Sequence, residues 1–267
     1  MSQSSALMLE LGMLLYDNAF SPFARKVRLV LDVKGLSAEY VDGLDRNNRE
    51  ALRRVNDRIE VPVLVDEDIV VVNSSDIVSY LDHQYPAVPV FPDRSKLRVK
   101  ARKWERIADT LVDAIMVDIS YWKWADRNDN MPDGMLDAAR QDLGTVYDQL
   151  ESELSETNYI CGELSIADIA LFPHLVSART LGVPFSIDRH PNLVSWMSRL
   201  RKNKVFRADI KRTRDFLSDF TTSKFEREKI FWRGERIEWL LARGFDTWFF
   251  KEIKEGRVIW PPQDLRN

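Results

Sequence analysis

Residues 18–35, NAFSPFARKVRLVLDVKG, carry the reading on which the rest turns. Ser21 stands immediately before Pro22. Proline is favoured at the first position of a helix, and a serine beside it satisfies one of the orphan backbone N–H groups. The spacing predicts a helix over 22–34, with Val27, Leu29, Val30 and Leu31 near its apolar side and Gly35 as its stop. The donors that a cap employs also attract negative charge, so the junction reads either as a plain cap or as a cap that holds an anion.

Working outward, MLLY (13–16) reads as a short buried strand and AEYV (38–41) as a second extended piece. A polar helical stretch lies around RNNREALRRV (46–55). Two β-rich runs follow, VPVLVD (61–66) and IVVVN (69–73), separated by the acidic turn residues Glu67 and Asp68 as in a hairpin. From Ser75 the pattern SDIVSYLDHQY returns to helical spacing, with Ile77, Val78, Tyr80 and Leu81 available for burial. The order β-α-β-α-β-β-α over residues 12–85 implies a small mixed sheet with covering helices.

The stretch YPAVPVFPDR (85–94) contains three prolines and marks an extended linker over 86–94. Beyond it the chain reads as all helical, with helices over 95–127, 134–154, 165–181, 191–202 and 205–219. Ser165 and Asp168 have capping-box spacing, and Pro191 occupies a helix-start position. The fold class is therefore α/β followed by all-α: a first domain over 12–85, a helical domain over 95–220, and an aromatic-rich extension over 221–267. In that extension Ile230, Ile237, Leu240 and Leu241 recur at helical spacing before Gly244.

Composition narrows the function classes. The 267 residues carry 39 Lys plus Arg against 42 Asp plus Glu, a formal net charge of -3, which offers no global basic field for nucleic acid. The single cysteine, Cys161, excludes an internal disulfide framework and fits a reducing compartment, so the cytoplasm is expected. Glu10 interrupts the early apolar stretch and no Lys or Arg precedes it, so neither a secretory signal nor a membrane segment is expected. His83, His174 and His190 are scattered, and with one cysteine they do not suggest a metal site. No phosphate-cradling glycine loop is present.

Four ordered motifs give the chain a family resemblance: SPFARKVRL (21–29), VPVL (61–64), NSSDIVSYL (73–81) and SIADIALFP (165–173). In this order they resemble the cytosolic glutathione transferase superfamily, over about residues 12–220. The resemblance implies a thioredoxin-like, glutathione-binding domain over 12–85, a helical substrate-binding domain over 95–220, and a homodimer. In serine-type members the residue matching Ser21 donates a hydrogen bond to the sulfur of glutathione. Thiolate is the nucleophile, and lowering a free thiol pKa of about 8.5 by about two units takes roughly 2.7 kcal/mol of preferential stabilisation. A hydroxyl donor and a helix N-terminus are the right kinds of group to supply it.

The same resemblance gives roles to other positions. Val61-Pro62 matches the family's cis-proline, with the Val61 backbone pairing with the cysteinyl residue of glutathione. Ser74 matches the position that receives the γ-glutamyl carboxylate at a helix start, although capping by Ser74 or Ser75 asks for the same residues. Tyr16 and Asn18 are rival hydroxyl or amide donors. Three departures bear on affinity: Asn73 replaces the acidic residue or glutamine often found beside this serine, Glu60 stands where many members tolerate the glycyl carboxylate, and Ile59 replaces a glycine. A hydrophobic electrophile is expected as second substrate. Its pocket in the family lies between the domains, against the first long helix of the second, which makes Met116, Tyr121, Trp122 and Trp124 candidate walls. The extension then packs over the helical domain, covers the electrophile or contacts a protein. The competing class is a noncatalytic binding protein on the same fold.

Overall fold

The computed structural model describes residues 12–124, 130–220, 230–231 and 233–260. It divides into two compact units, the first containing residues up to 91 together with 205–216, the second containing 92–204 and 217–260.

The first unit has a four-stranded sheet in the order β2-β1-β3-β4, built from β1 (Leu14–Asp17), β2 (Glu39–Asp42), β3 (Val63–Asp66) and β4 (Ile69–Val72). β1 pairs parallel to β2 and antiparallel to β3, and β3 pairs antiparallel to β4. Side chains alternate across a strand. Tyr16, Val63 and Val65 accordingly share one face, where they pack with Leu52 of α2 (Arg49–Val55), and Leu15 and Leu64 lie fully buried on the other. That second face is covered by α1 (Pro22–Lys34) and α3 (Ser74–Gln84). Asp66 ends β3 and accepts hydrogen bonds from the phenols of Tyr80 and Tyr85 (2.8 and 2.7 Å) on and just beyond α3. Burial, reinforced by that carboxylate, pushes the Tyr85 phenol up to about 12. Lys34, at the end of α1, donates to the carbonyls of Tyr85 and Val88 and pairs with Asp82, so the proline-rich connection is tied back to the first unit.

In the second unit the expected helix over 95–127 is divided into α4 (Ser95–Ile107), a π-helical turn (Ala108–Val112) and α5 (Asp113–Trp124). Residues 125–127 lie outside the described residues. The helix expected over 134–154 is α6 (Met135–Glu153). The one expected over 165–181 is shorter, α7 (Ile166–Leu175), because the chain beyond it tightens into i to i−3 bonds, Ser177 to His174 and Ala178 to Leu175. Asp168 anchors the start of α7: its carboxylate accepts the N–H and hydroxyl of Ser165, the N–H of Ile160, and Trp196 Nε1 at 2.8 Å from α8 (Pro191–Lys202). α9 (Lys204–Phe220) follows and contributes residues 205–216 to the first unit.

In the extension, α10 (Gly234–Ala242) confirms helical spacing for Ile237, Leu240 and Leu241, and Gly244 ends the run at φ 78°. Ile230 departs from that pattern. It belongs to β5 (Ile230–Phe231), which pairs parallel to β6 (Val258–Ile259) beyond α11 (Asp246–Lys254). Phe225 and Trp232 lie outside the described residues. α10 packs on α5, where Arg236 Nε meets Asp113 Oδ2 at 3.0 Å with both side chains buried, and Trp239 Nε1 donates to Asp142 at 2.9 Å. Among the described residues, the extension thus packs on helices of the second unit.

Asp118 of α5 is 1% exposed, and neither carboxyl oxygen has a hydrogen-bond partner among the described residues. Burial raises this carboxyl well above its ordinary range, Arg236 pulls it down and Asp113 pushes it further up. The folded protein therefore keeps a proton that the unfolded chain releases near pH about 4, and stability present below that pH is lost as pH rises toward the folded value. Asp118→Asn removes this loss. In urea unfolding the variant gains about 1 kcal/mol or more on the wild type between about pH 4 and about pH 7, whereas parallel pH profiles would contradict the assignment.

Candidate functional site

The end of β1 turns through Asn18–Ser21 into α1. Asn18 is the hinge of that corner: its Nδ2 donates to Asp42 (3.0 Å), its Oδ1 accepts the Phe20 N–H (3.0 Å), and its carbonyl accepts the Ser21 N–H (3.0 Å). These bonds commit the Asn18 amide to shaping the turn. Tyr16, the other rival, is buried in the cluster with Leu52, Val63 and Val65, and burial pushes its phenol up while Arg54 pulls it down.

Ser21 caps α1 as its sequence suggests. Its backbone is extended (φ −71°, ψ 116°), and its Oγ accepts the Ala24 N–H at 3.3 Å. A hydroxyl that accepts a cap bond still carries a proton to donate. That proton has no acceptor among the described residues. Gly35 closes the other end at φ 70°, a conformation open to glycine without a Cβ penalty.

Strand register gathers the other motifs at the same end of the sheet. Tyr16 lies opposite Val63, and Val63 opposite Val72, so the segments before Val63 and after Val72 flank the corner that carries Ser21. The Val61-Pro62 bond is cis. Neither the N–H nor the C=O of Val61 makes a hydrogen bond among the described residues. Asn73 occupies the N-cap position of α3 without a side-chain cap bond: its carbonyl accepts the N–H groups of Asp76 and Ile77 (3.1 and 3.0 Å), and its Nδ2 donates to the Asp76 carboxylate (3.0 Å). Ser74, only 2% exposed, is therefore not used as a cap, and its hydroxyl has no partner among the described residues. Ser75 is engaged by Lys26 of α1, a buried lysine whose Nζ donates to Ser75 Oγ at 3.2 Å.

The departures have physical readings. Ile59, where the resemblance has glycine, adopts φ 54°, which costs a residue with a Cβ about 1–2 kcal/mol. Its side chain packs on the Tyr16 cluster and offsets part of that. Glu60 does not present a bare charge. Arg58 grips it through Nε (3.0 Å) and Nη2 (3.3 Å), and this bond raises the Arg58 pKa. Both groups are partly exposed, so the pair adds at most about 1 kcal/mol to stability, but it balances the carboxylate beside Val61.

Of the candidate walls in the second unit, Met116 and Tyr121 are buried and Trp122 is half-buried. Tyr121 and Trp122 pack on Trp248 of α11 with centroids 6.3 and 5.2 Å away. The Trp124 side chain lies outside the described residues. Cys161 is buried, which pushes its thiol up and away from nucleophilic use. Sequence reasoning missed Lys26 and Arg58. The signals were a lysine inside a helix buried almost all round, and a cation two residues before the anomalous Glu60.

Comparison with known proteins identifies the family. The family model described as glutathione S-transferase, N-terminal domain, matches residues 15–89, and that described as glutathione S-transferase, C-terminal domain, matches residues 124–199. A probable glutathione S-transferase of Nicotiana tabacum is 26% identical over 57% of this chain, and the chain spans 64% of that relative's length. A stringent starvation protein A homolog of Haemophilus ducreyi is 27% identical over 74% of this chain and 86% of its own. The crystal structure of a glutathione S-transferase from Rhodospirillum rubrum F11 superposes with a TM-score of 0.63 at 25% identity, covering 74% of this chain and 91% of that one.

Gly43 is held to this site by close approach. A Cβ there would lie 2.7 Å from Val61 Cγ1 and 3.2 Å from Leu52 Cδ2. Gly43→Ala is expected to displace Val61 and destabilise the protein by about 1–3 kcal/mol, seen as a lower urea midpoint at unchanged slope; an unchanged midpoint would show that the neighbours yield freely.

Proposed function

We propose, because the chain belongs to the glutathione S-transferase superfamily, that it is a glutathione transferase whose bound thiolate attacks a hydrophobic electrophile. The observation that carries this reading is Ser21: a half-buried hydroxyl at the N-terminus of a 13-residue helix, with its proton unclaimed among the described residues. Val61 supports it by leaving both backbone groups open to a peptide, with Pro62 locked beside it. Ser74 supports it by offering a buried, unused hydroxyl at the start of α3, where a carboxylate is favoured. Asn73 keeps its Oδ1 for the γ-glutamyl ammonium while its Nδ2 bonds to Asp76.

In this mechanism Ser21 Oγ donates to the glutathione sulfur and, with the positive end of α1, favours the thiolate over the thiol. The sulfur then forms the new bond to the electrophilic carbon, and the leaving group departs with the displaced electron pair, or an added proton completes the product. Met116, Tyr121, Trp122 and Trp124 remain the proposed walls for the electrophile. Family membership supports a homodimer, and no helix among the described residues is long and apolar enough to cross a membrane. A noncatalytic binding role is the second reading, favoured by Asn73 in place of an acidic residue and by the relative of other name in Haemophilus ducreyi.

Conjugation of glutathione to an activated chloroarene tests the choice. Ser21→Ala is expected to lower the rate at about pH 7 about 25-fold, as the bound thiol pKa returns from about 6.5 to about 8.5, while glutathione affinity changes only a few-fold. An unchanged rate removes Ser21 from the chemistry; a wild type that neither conjugates nor binds millimolar glutathione selects the noncatalytic role.

A further inference from the structure

One stripe of α9 is built against the corner that presents Ser21. Asp209, Arg212, Thr213 and Phe216 recur at i, i+3, i+4 and i+7, the spacing of a single helix face. All four meet the first unit. Arg25 of α1 forks onto Asp209 through Nε (3.2 and 3.1 Å) and Nη2 (2.6 Å), with both side chains buried. Arg212 pairs with Asp32, two turns further along α1. A buried, bidentate pair fixes orientation as well as distance, so these two attachments set how α9 lies along α1.

The other two residues reach the corner itself. The Phe216 ring meets Phe20 edge-on, with centroids 5.7 Å apart and planes at 81°. Thr213 Oγ1 bonds to the Asp209 carbonyl (3.0 Å) and makes a long contact to the Ala19 carbonyl (3.5 Å). Phe20 and Ala19 are the two residues immediately before Ser21. From the sheet side, Asn18 fixes the Phe20 and Ser21 N–H groups. α9 adds a ring contact to Phe20 on the other side of the corner.

We infer that α9 is the positioning element of the thiolate site, with Phe216 the positioning residue that sets where the Ser21 hydroxyl points. The inference rests on the transferase reading above and names residues of α9 as part of its machinery. A donor is effective only when held on the developing charge within a fraction of an ångström; the cap bond ties Ser21 to α1, and the corner before it needs support from its outer side. The Phe20–Phe216 contact supplies it from a helix that is itself fastened to α1 at Asp209 and Arg212.

The test measures the pH dependence of thiolate absorbance for glutathione bound to the full chain, beside calorimetric affinity and thermal midpoint. Phe216→Ala is expected to raise the apparent thiol pKa of bound glutathione by about one unit and to lower conjugation at about pH 7 about threefold, with affinity lowered by no more than about threefold. Phe216→Tyr, which keeps the ring edge, restores both. Should Phe216→Ala not fold, Phe216→Leu keeps the volume without the ring and is expected to raise the value by about half a unit. A lower thermal midpoint with an unmoved thiol pKa overturns the positioning role and leaves the transferase reading standing. A wild type with no thiolate signal overturns the transferase reading and this inference with it.

Discussion

The N-terminus of α1 is the constraint from which the rest of the first unit follows. Four N–H groups at a helix start need partners or charge, and here one serine satisfies one of them, that of Ala24, with an oxygen lone pair while its proton is left over. The helix behind it is buried on nearly every side, including at Arg25, Lys26 and Arg28. Rigidity therefore resides in the scaffold, and reactivity in one unspent hydrogen bond. The open Val61 backbone and the unused Ser74 hydroxyl lie at the same end of the sheet because the β1–β3 and β3–β4 registers put them there.

Local signals in the sequence carried most of this. Ser21, Pro22 and Gly35 bound α1 through cap chemistry that acts within a few residues, and Val61-Pro62 and Ser74 belong to short motifs of fixed spacing. Interactions across long separations were not legible. Ile230 continues a helical period yet pairs with Val258, because strand pairing depends on a partner that periodicity does not reveal. The π-helical turn at Ala108–Val112 shifts backbone bonding without changing residue type in any way that a pattern registers. Asp209 and Phe216 look like ordinary members of an exposed helix until Arg25 and Phe20, some 190 positions earlier, are folded against them.

The apparent obstacles to ligand binding change meaning in the folded chain. Glu60 is balanced by Arg58, so the site next to Val61 presents an ion pair instead of an isolated negative charge. Asn73 stands at the N-cap position of α3, one residue before Ser74, whose hydroxyl has no partner among the described residues. In the helical unit the extension is fastened at Asp113 by Arg236 and at Asp142 by Trp239, and its Trp248 packs on Tyr121 and Trp122. It thereby bears on the same aromatic residues that are proposed to receive the electrophile.

The central claim is that glutathione loses its thiol proton on binding beside Ser21. Calorimetric titration of the wild-type protein with glutathione at neutral pH, repeated in two buffers of different ionisation enthalpy, measures that proton directly. Saturable heat that differs between the buffers by the release of close to one proton per site is expected. Binding heat that is identical in both buffers, or no heat at millimolar glutathione, would contradict it.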